Sequence, residues 1–188
     1  MNSYGPDFAS PFGLTRRAWL AAALLLGGAR GAGAAAATLP AARSLRDELA
    51  LALKSGNPLV VLVSLEGCPF CKAVREHYLG PMRAQQGLPV VQLDMRSAAP
   101  VQDFNGATRT HDALVRAWNV ALAPSVLFFG RSGLEVAPRL AGAASPDYYG
   151  AYLDERLAQA RAKRNDPANR TATSPAAPAA VKDARPWL

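Results

Sequence analysis

The 188-residue sequence predicts an α/β domain, and three observations carry that prediction. The aliphatic run Leu59-Val60-Val61-Leu62-Val63, closed by Ser64, reads as a strand buried on both faces. Helix-like and strand-like segments alternate between residues 37 and 162. Glycine, proline and capping residues stand at the boundaries between them.

In chain order, residues 38–44 read as a short linker. Ser44-Leu45-Arg46-Asp47 resembles a capping box whose acid is one carbon short, and it opens a helix to about Lys54. Leu45, Leu49 and Leu53 give that helix its apolar stripe, and Gly56-Asn57-Pro58 ends it. After the strand at Leu59–Ser64, a helix starts beyond Cys68 and runs to about Gln85, with a kink expected near Gly80-Pro81. Leu88 to Met95 supplies a second strand. Residues 96–109 read as a long irregular loop. Thr110 caps a helix through Trp118, with Leu114, Val115 and Trp118 facing inward. Two strands follow, Ser125–Phe129 and Leu134–Leu140, joined by the turn Gly130-Arg131-Ser132-Gly133. Ser145-Pro146-Asp147 has the composition of a helix start, and Tyr149, Leu153 and Leu157 mark the buried face of that last helix. From residue 163 to 188, proline, alanine and charge without periodicity predict a flexible tail.

Half of the residues are hydrophobic and the net charge is +7. Residues 1–36 hold three arginines and one aspartate, so without them the charge is +5. These charges are scattered, with no basic stripe interleaved with aromatics, which argues against nucleic-acid binding. Residues 1–36 themselves read as an export signal. Arg16-Arg17 precede an apolar run from Ala18 to Leu26, and Ala34-Ala35-Ala36 offers a cleavage site. The run is shorter than the roughly 20 residues that span a bilayer. Thr15-Arg16-Arg17-Ala18-Trp19-Leu20 resembles the twin-arginine signature. General secretion and an uncleaved anchor stay open as alternatives. Each of these routes delivers the domain to the periplasm or another oxidising space.

The only two cysteines are in Cys68-Pro69-Phe70-Cys71, at a strand-to-helix junction. A crosslink over two intervening residues closes almost no loop and gains little from chain entropy. A zinc site needs more ligands than this pair supplies. Thiol–disulfide exchange is the chemistry that suits the spacing. Cys68 is expected at the N-cap, with Pro69 at the first helical position, where its missing N–H costs nothing. Unpaired N–H groups and the helix dipole then favour a Cys68 thiolate. Such sites lower a thiol pKa from about 8.5 to roughly 3.5–7.5. Cys71, one turn on, is expected to be less exposed and to resolve the mixed disulfide that Cys68 forms. Glu66 and Lys72 are candidates for tuning the pair, and Pro69 and Phe70 for contacting substrates.

Strand–CxxC–helix, followed about fifty residues later by Ala123-Pro124-Ser125 leading into Val126-Leu127-Phe128-Phe129, resembles the thioredoxin superfamily. Asp103 to Gly106, Ala117 to Val120, Pro124 to Gly133 and Glu135 to Gly142 are similar to periplasmic thioredoxin-like proteins, including those associated with sulfur oxidation. The resemblance covers roughly residues 43–160. It implies the thioredoxin fold, a central mixed β-sheet flanked by helices. It also implies a cis Pro124 beside the thiols, with the backbone of Ala123 pairing with an extended substrate. The Cys-Pro-Phe-Cys sequence is closer to glutaredoxins than to thioredoxins. The buried acid that thioredoxins carry before the motif is missing, and Ser64 is the nearest polar residue.

Together these features predict an exported thiol–disulfide oxidoreductase that works in the reducing direction on protein or small-molecule disulfides. No cofactor beyond the Cys68–Cys71 dithiol is expected. Family resemblance implies a membrane thiol-transfer partner for recycling, and a monomer is the default. The alternative is a copper-binding chaperone or redox-gated adaptor that uses the two thiolates as soft ligands. His77, Met82, Met95 and His111 would be its further donors, although none has convincing ligand spacing, and no metal is assigned.

Overall fold

The computed structural model describes residues 38–143 and 146–164. Within them the chain forms α1 (Leu45–Lys54), β1 (Leu59–Ser64), α2 (Pro69–Ala73), a π-helical segment (Val74–Leu79), α3 (Gly80–Gln86), β2 (Val90–Asp94), β3 (Pro100–Gln102) and β4 (Thr108–Thr110). It continues with α4 (His111–Ala117), β5 (Ser125–Phe129), a 3-10 turn (Arg131–Gly133), β6 (Glu135–Ala141) and α5 (Pro146–Arg164). The expected cap at Ser145, the export signal and residues 165–188 lie outside the described residues. α5 itself reaches Arg164, two residues into the segment expected as tail. Among the described residues, no helix is long and apolar enough to cross a membrane.

The main sheet has the order β2-β1-β5-β6. β1 runs parallel to β2, with Val61 opposite Val91, and antiparallel to β5, with Val61 opposite Leu127. β5 and β6 are antiparallel. The sheet is therefore mixed, and every residue of β1 and β5 is buried. Alternation along the strands divides the core into two layers. Val60, Leu62, Val126 and Phe128 meet Val74, Leu79, Leu153 and Leu157 on one face. Leu59, Val61, Leu127 and Phe129 meet Leu45, Leu49, Leu114 and Val115 on the other.

Ser44 caps α1 by accepting from the N–H of Asp47 at 3.3 Å. The reach back to the preceding backbone is made by Glu48, not by the shorter Asp47: the N–H of Arg43 donates to Glu48 Oε1 at 3.2 Å. The buried stripe of α1 is Leu45, Leu49 and Ala52, with Leu53 packed at its edge. Residues 38–44 are more than a linker. Gln92 N–H donates to Pro40 O at 2.8 Å and Ala42 N–H to Gln92 O at 2.9 Å, which docks the segment beside β2.

The helix after the cysteines is continuous over residues 69–86, and the expected kink takes the form of a π-segment. Pro81 has no N–H to give the helix, and one turn of wider bonding, with Gly80 N–H donating to Arg75 O, precedes it. The expected loop at 96–109 instead contains a hairpin, in which Val101 lies opposite Arg109. Its turn is closed by Asp103, whose Oδ1 accepts from the N–H groups of Asn105 and Ala107, both at 2.9 Å. Gly106 there has φ +85°, a conformation that favours glycine.

Candidate active site

β1 ends at Ser64, and Leu65 to Gly67 turn the chain toward α2. Gly67 takes φ +73°, which lets the turn close without a side-chain penalty. Cys68 is the N-cap of α2, in extended conformation, and Pro69 opens the helix behind it. The Cys68 carbonyl accepts the first helical bond, from Lys72 N–H at 3.1 Å. Its sulfur accepts from Cys71 N–H at 3.2 Å, so a backbone donor otherwise left orphaned at the helix start is aimed at it.

Both cysteines are free thiols. Their sulfurs are in contact, with the Cys71 thiol donating to Cys68. Cys68 is half-buried, whereas Cys71 is 0% exposed. Burial pushes the Cys71 thiol above its ordinary range, and its hydrogen bond to Cys68 adds to the rise. The Leu65 N–H and the Ser64 hydroxyl act in the opposite direction and do not prevail. One sulfur is thus presented to solvent, and the other is held protonated behind it.

The β1–β5 register pairs Val63 with Ser125. Ala123-Pro124 therefore flanks the end of β1 from which the cysteine turn departs. The Ala123–Pro124 peptide is cis. Pro124 is buried, and its carbonyl accepts from Gly142 N–H at 2.7 Å. Ala123 is half-buried and Leu122 is exposed. Pro69 is exposed, and Phe70 projects with 58% of its surface open.

A family described as thioredoxin-like domain matches residues 45–157. The chain belongs to the thioredoxin-like family. Members of this family are typically thiol–disulfide oxidoreductases, and the fold built above is the thioredoxin fold. Among solved structures, the chain is similar to the periplasmic thioredoxin SoxS from Paracoccus pantotrophus in its reduced form. That likeness has 17% identity and a TM-score of 0.37, over 55% of this chain and 98% of that one. A thioredoxin from Thermus thermophilus gives 20% and 0.44, over 68% of this chain and 92% of that one. A poplar thioredoxin h gives 17% and 0.43, over 61% and 95%. No curated protein matches the chain.

The remaining candidate residues of this thioredoxin-like domain are spread out. Glu66 and Lys72 are both exposed. His77 is exposed, while Met82 and Met95 pack against opposite layers of the core. His111 is buried with both ring nitrogens engaged: Nδ1 accepts from Asp94 N–H at 3.2 Å and Nε2 faces Ala42 O at 3.1 Å. Among the described residues, no three His, Cys, Asp or Glu side chains converge as a metal site would require.

The apolar stripe of the last helix marks Tyr149 as an ordinary core residue. The structure buries it in the core layer that holds Val60, Leu62 and Val74. A signal was present: on a stripe continued by Leu153 and Leu157, a tyrosine carries a polar tip that a core must accommodate.

Proposed function

We propose that this protein is an exported thiol–disulfide oxidoreductase that reduces disulfides of protein or small-molecule substrates through Cys68 and Cys71. The observation that carries this reading is the asymmetry of the pair: an accessible Cys68 sulfur receives an N–H and a thiol proton, and Cys71 is buried behind it. The two roles in exchange need this asymmetry, because the attacking group must be an accessible thiolate and the resolving group must wait.

Cys68 attacks one sulfur of the substrate disulfide. The Cys68–substrate bond forms, the substrate S–S bond breaks, and the departing sulfur takes up a proton. Cys71 then loses its proton and attacks Cys68, closing the Cys68–Cys71 disulfide and releasing the second substrate sulfur as a thiol. Two electrons and two protons pass from the dithiol to the substrate. Ala123, beside Pro124, offers backbone to an extended substrate, and Phe70 offers an apolar contact. A membrane thiol-transfer partner on the far side of the export step would restore the dithiol. Export itself rests on Arg16-Arg17 and the apolar run after them.

Insulin reduction tests the mechanism. Cys68→Ser should bring the rate down to the uncatalysed background. Cys71→Ser should leave capture intact and accumulate mixed disulfides, visible as adducts on non-reducing gels. An unchanged rate after Cys68→Ser would refute the reading.

A further inference from the structure

The loop 118–124 joins α4 to β5 and runs into the end of β1 from which the cysteine turn departs, because Ser125 lies opposite Val63. Its carbonyls are held by side chains of the two strands that follow. The Ser125 hydroxyl, on a residue 1% exposed, donates to Leu122 O at 2.8 Å. Arg139, half-buried on β6, donates to Trp118 O at 2.8 Å and pairs with Glu135, so its charge is balanced. Between these anchors and the Pro124 carbonyl, held by Gly142, nothing among the described residues bonds the N–H or the carbonyl of Ala123. The Leu122 side chain next to it is 58% exposed. No residue of the loop is charged.

We propose that Ser125 and Arg139 are positioning residues for substrate and that Leu122 determines specificity: together they present this loop to an extended polypeptide disulfide with an apolar side chain next to its cysteine. The proposal rests on the thiol–disulfide reading above and deepens it by naming the substrate class.

An extended chain that docks on free backbone takes its affinity from main-chain hydrogen bonds and its selectivity from the side chains beside them. Ala123 leaves both its backbone groups open and carries only a methyl group, so another chain can approach closely. Leu122 supplies the apolar contact, and a loop without charge does not favour a charged neighbour to the substrate cysteine. A loop left to move would have to be ordered as substrate binds, and that cost would be subtracted from affinity. Ser125 and Arg139 order it beforehand, through carbonyls that the substrate does not use. A small disulfide ends close to its sulfurs and gains little from any of these contacts.

The test measures the second-order rate at which the reduced protein is oxidised by two probes, with acid quenching, alkylation and mass spectrometry. One probe is a peptide closed by a single disulfide with leucine next to a cysteine; the other is hydroxyethyl disulfide. Ser125→Ala and Arg139→Met should each lower the ratio of peptide rate to small-disulfide rate about fivefold, the effect expected for one ordinary hydrogen bond. Ser125→Thr, which keeps the hydroxyl, should restore the ratio. Leu122→Ala should lower it for the leucine peptide and not for a peptide with serine in that place. Partial unfolding would slow both probes alike and leave the ratio where it was. A ratio unmoved by Ser125→Ala and Arg139→Met overturns the positioning role, and one unmoved by Leu122→Ala overturns the substrate class. Because Leu122 is exposed, its variant keeps the test decisive even if Ser125→Ala does not fold. Wild-type protein oxidised by neither probe overturns the thiol–disulfide reading, and this proposal with it.

Discussion

Cys71 keeps its proton in the free dithiol because burial and the neighbouring Cys68 sulfur outweigh the donors that favour its anion. The sign of that balance fixes what an alkylating reagent should find. A thiol pushed above its ordinary range stays protonated through neutral pH, and only the thiolate reacts. Its buried sulfur is also closed to reagent. Iodoacetamide added to the reduced protein at neutral pH should therefore give a single adduct, on Cys68. A second adduct, on Cys71, should appear only as the pH rises well into the alkaline range. Mass spectrometry of peptides across a pH series reads both sites. Equal labelling of the two cysteines at neutral pH would contradict the arrangement.

At the scale of elements, local chemistry decides where segments begin, and the caps can be tested singly. Thr110 accepts from Ala113 N–H at 3.4 Å and begins α4, whose Leu114 and Val115 close the layer opposite the dithiol. Thr110→Ala should cost about 1 kcal/mol, the usual worth of such a cap. It should be read as a lower urea midpoint with an unchanged slope. The same local chemistry explains what sequence alone made legible. The bounds of β1 and β5 follow from unbroken apolar runs, and Ser44 and Thr110 from their capping types. β3 and β4 were not legible by period, because each has three residues and only Val101 among them is buried. Asn105-Gly106, a strong hairpin signal, was the available clue. Glu48 could not be foreseen in the capping role, since the expected pattern places the acid one position earlier. The packing of Tyr149 against the β1 residues Val60 and Leu62 was hidden for a different reason: it joins β1 to α5 across most of the domain, and no local pattern encodes it.

For the whole molecule, burial separates the residues that hold the fold from those that the proposed exchange would present to a substrate, and two phenylalanines mark the difference. Phe128 is fully buried on the β5 face that packs toward α5, in the layer that also holds Tyr149. Phe70, beside Cys68, is largely open to solvent. Removing a buried phenylalanine ring costs about 3–5 kcal/mol, a large share of the ~5–15 kcal/mol that keeps a domain folded. An exposed ring can be removed at a cost within about 0.5 kcal/mol. Phe128→Ala should therefore lower the denaturation midpoint sharply, while the folded fraction exchanges disulfides at an ordinary rate. Phe70→Ala should leave that midpoint in place and weaken turnover of a protein substrate more than that of a small disulfide, because only the larger substrate extends beyond the sulfurs to use the ring. Paired denaturation and exchange assays on both variants read the two properties independently. If Phe70→Ala destabilised the fold as much as Phe128→Ala, the ring would belong to the core, and the rim around Cys68 would have to be drawn without it.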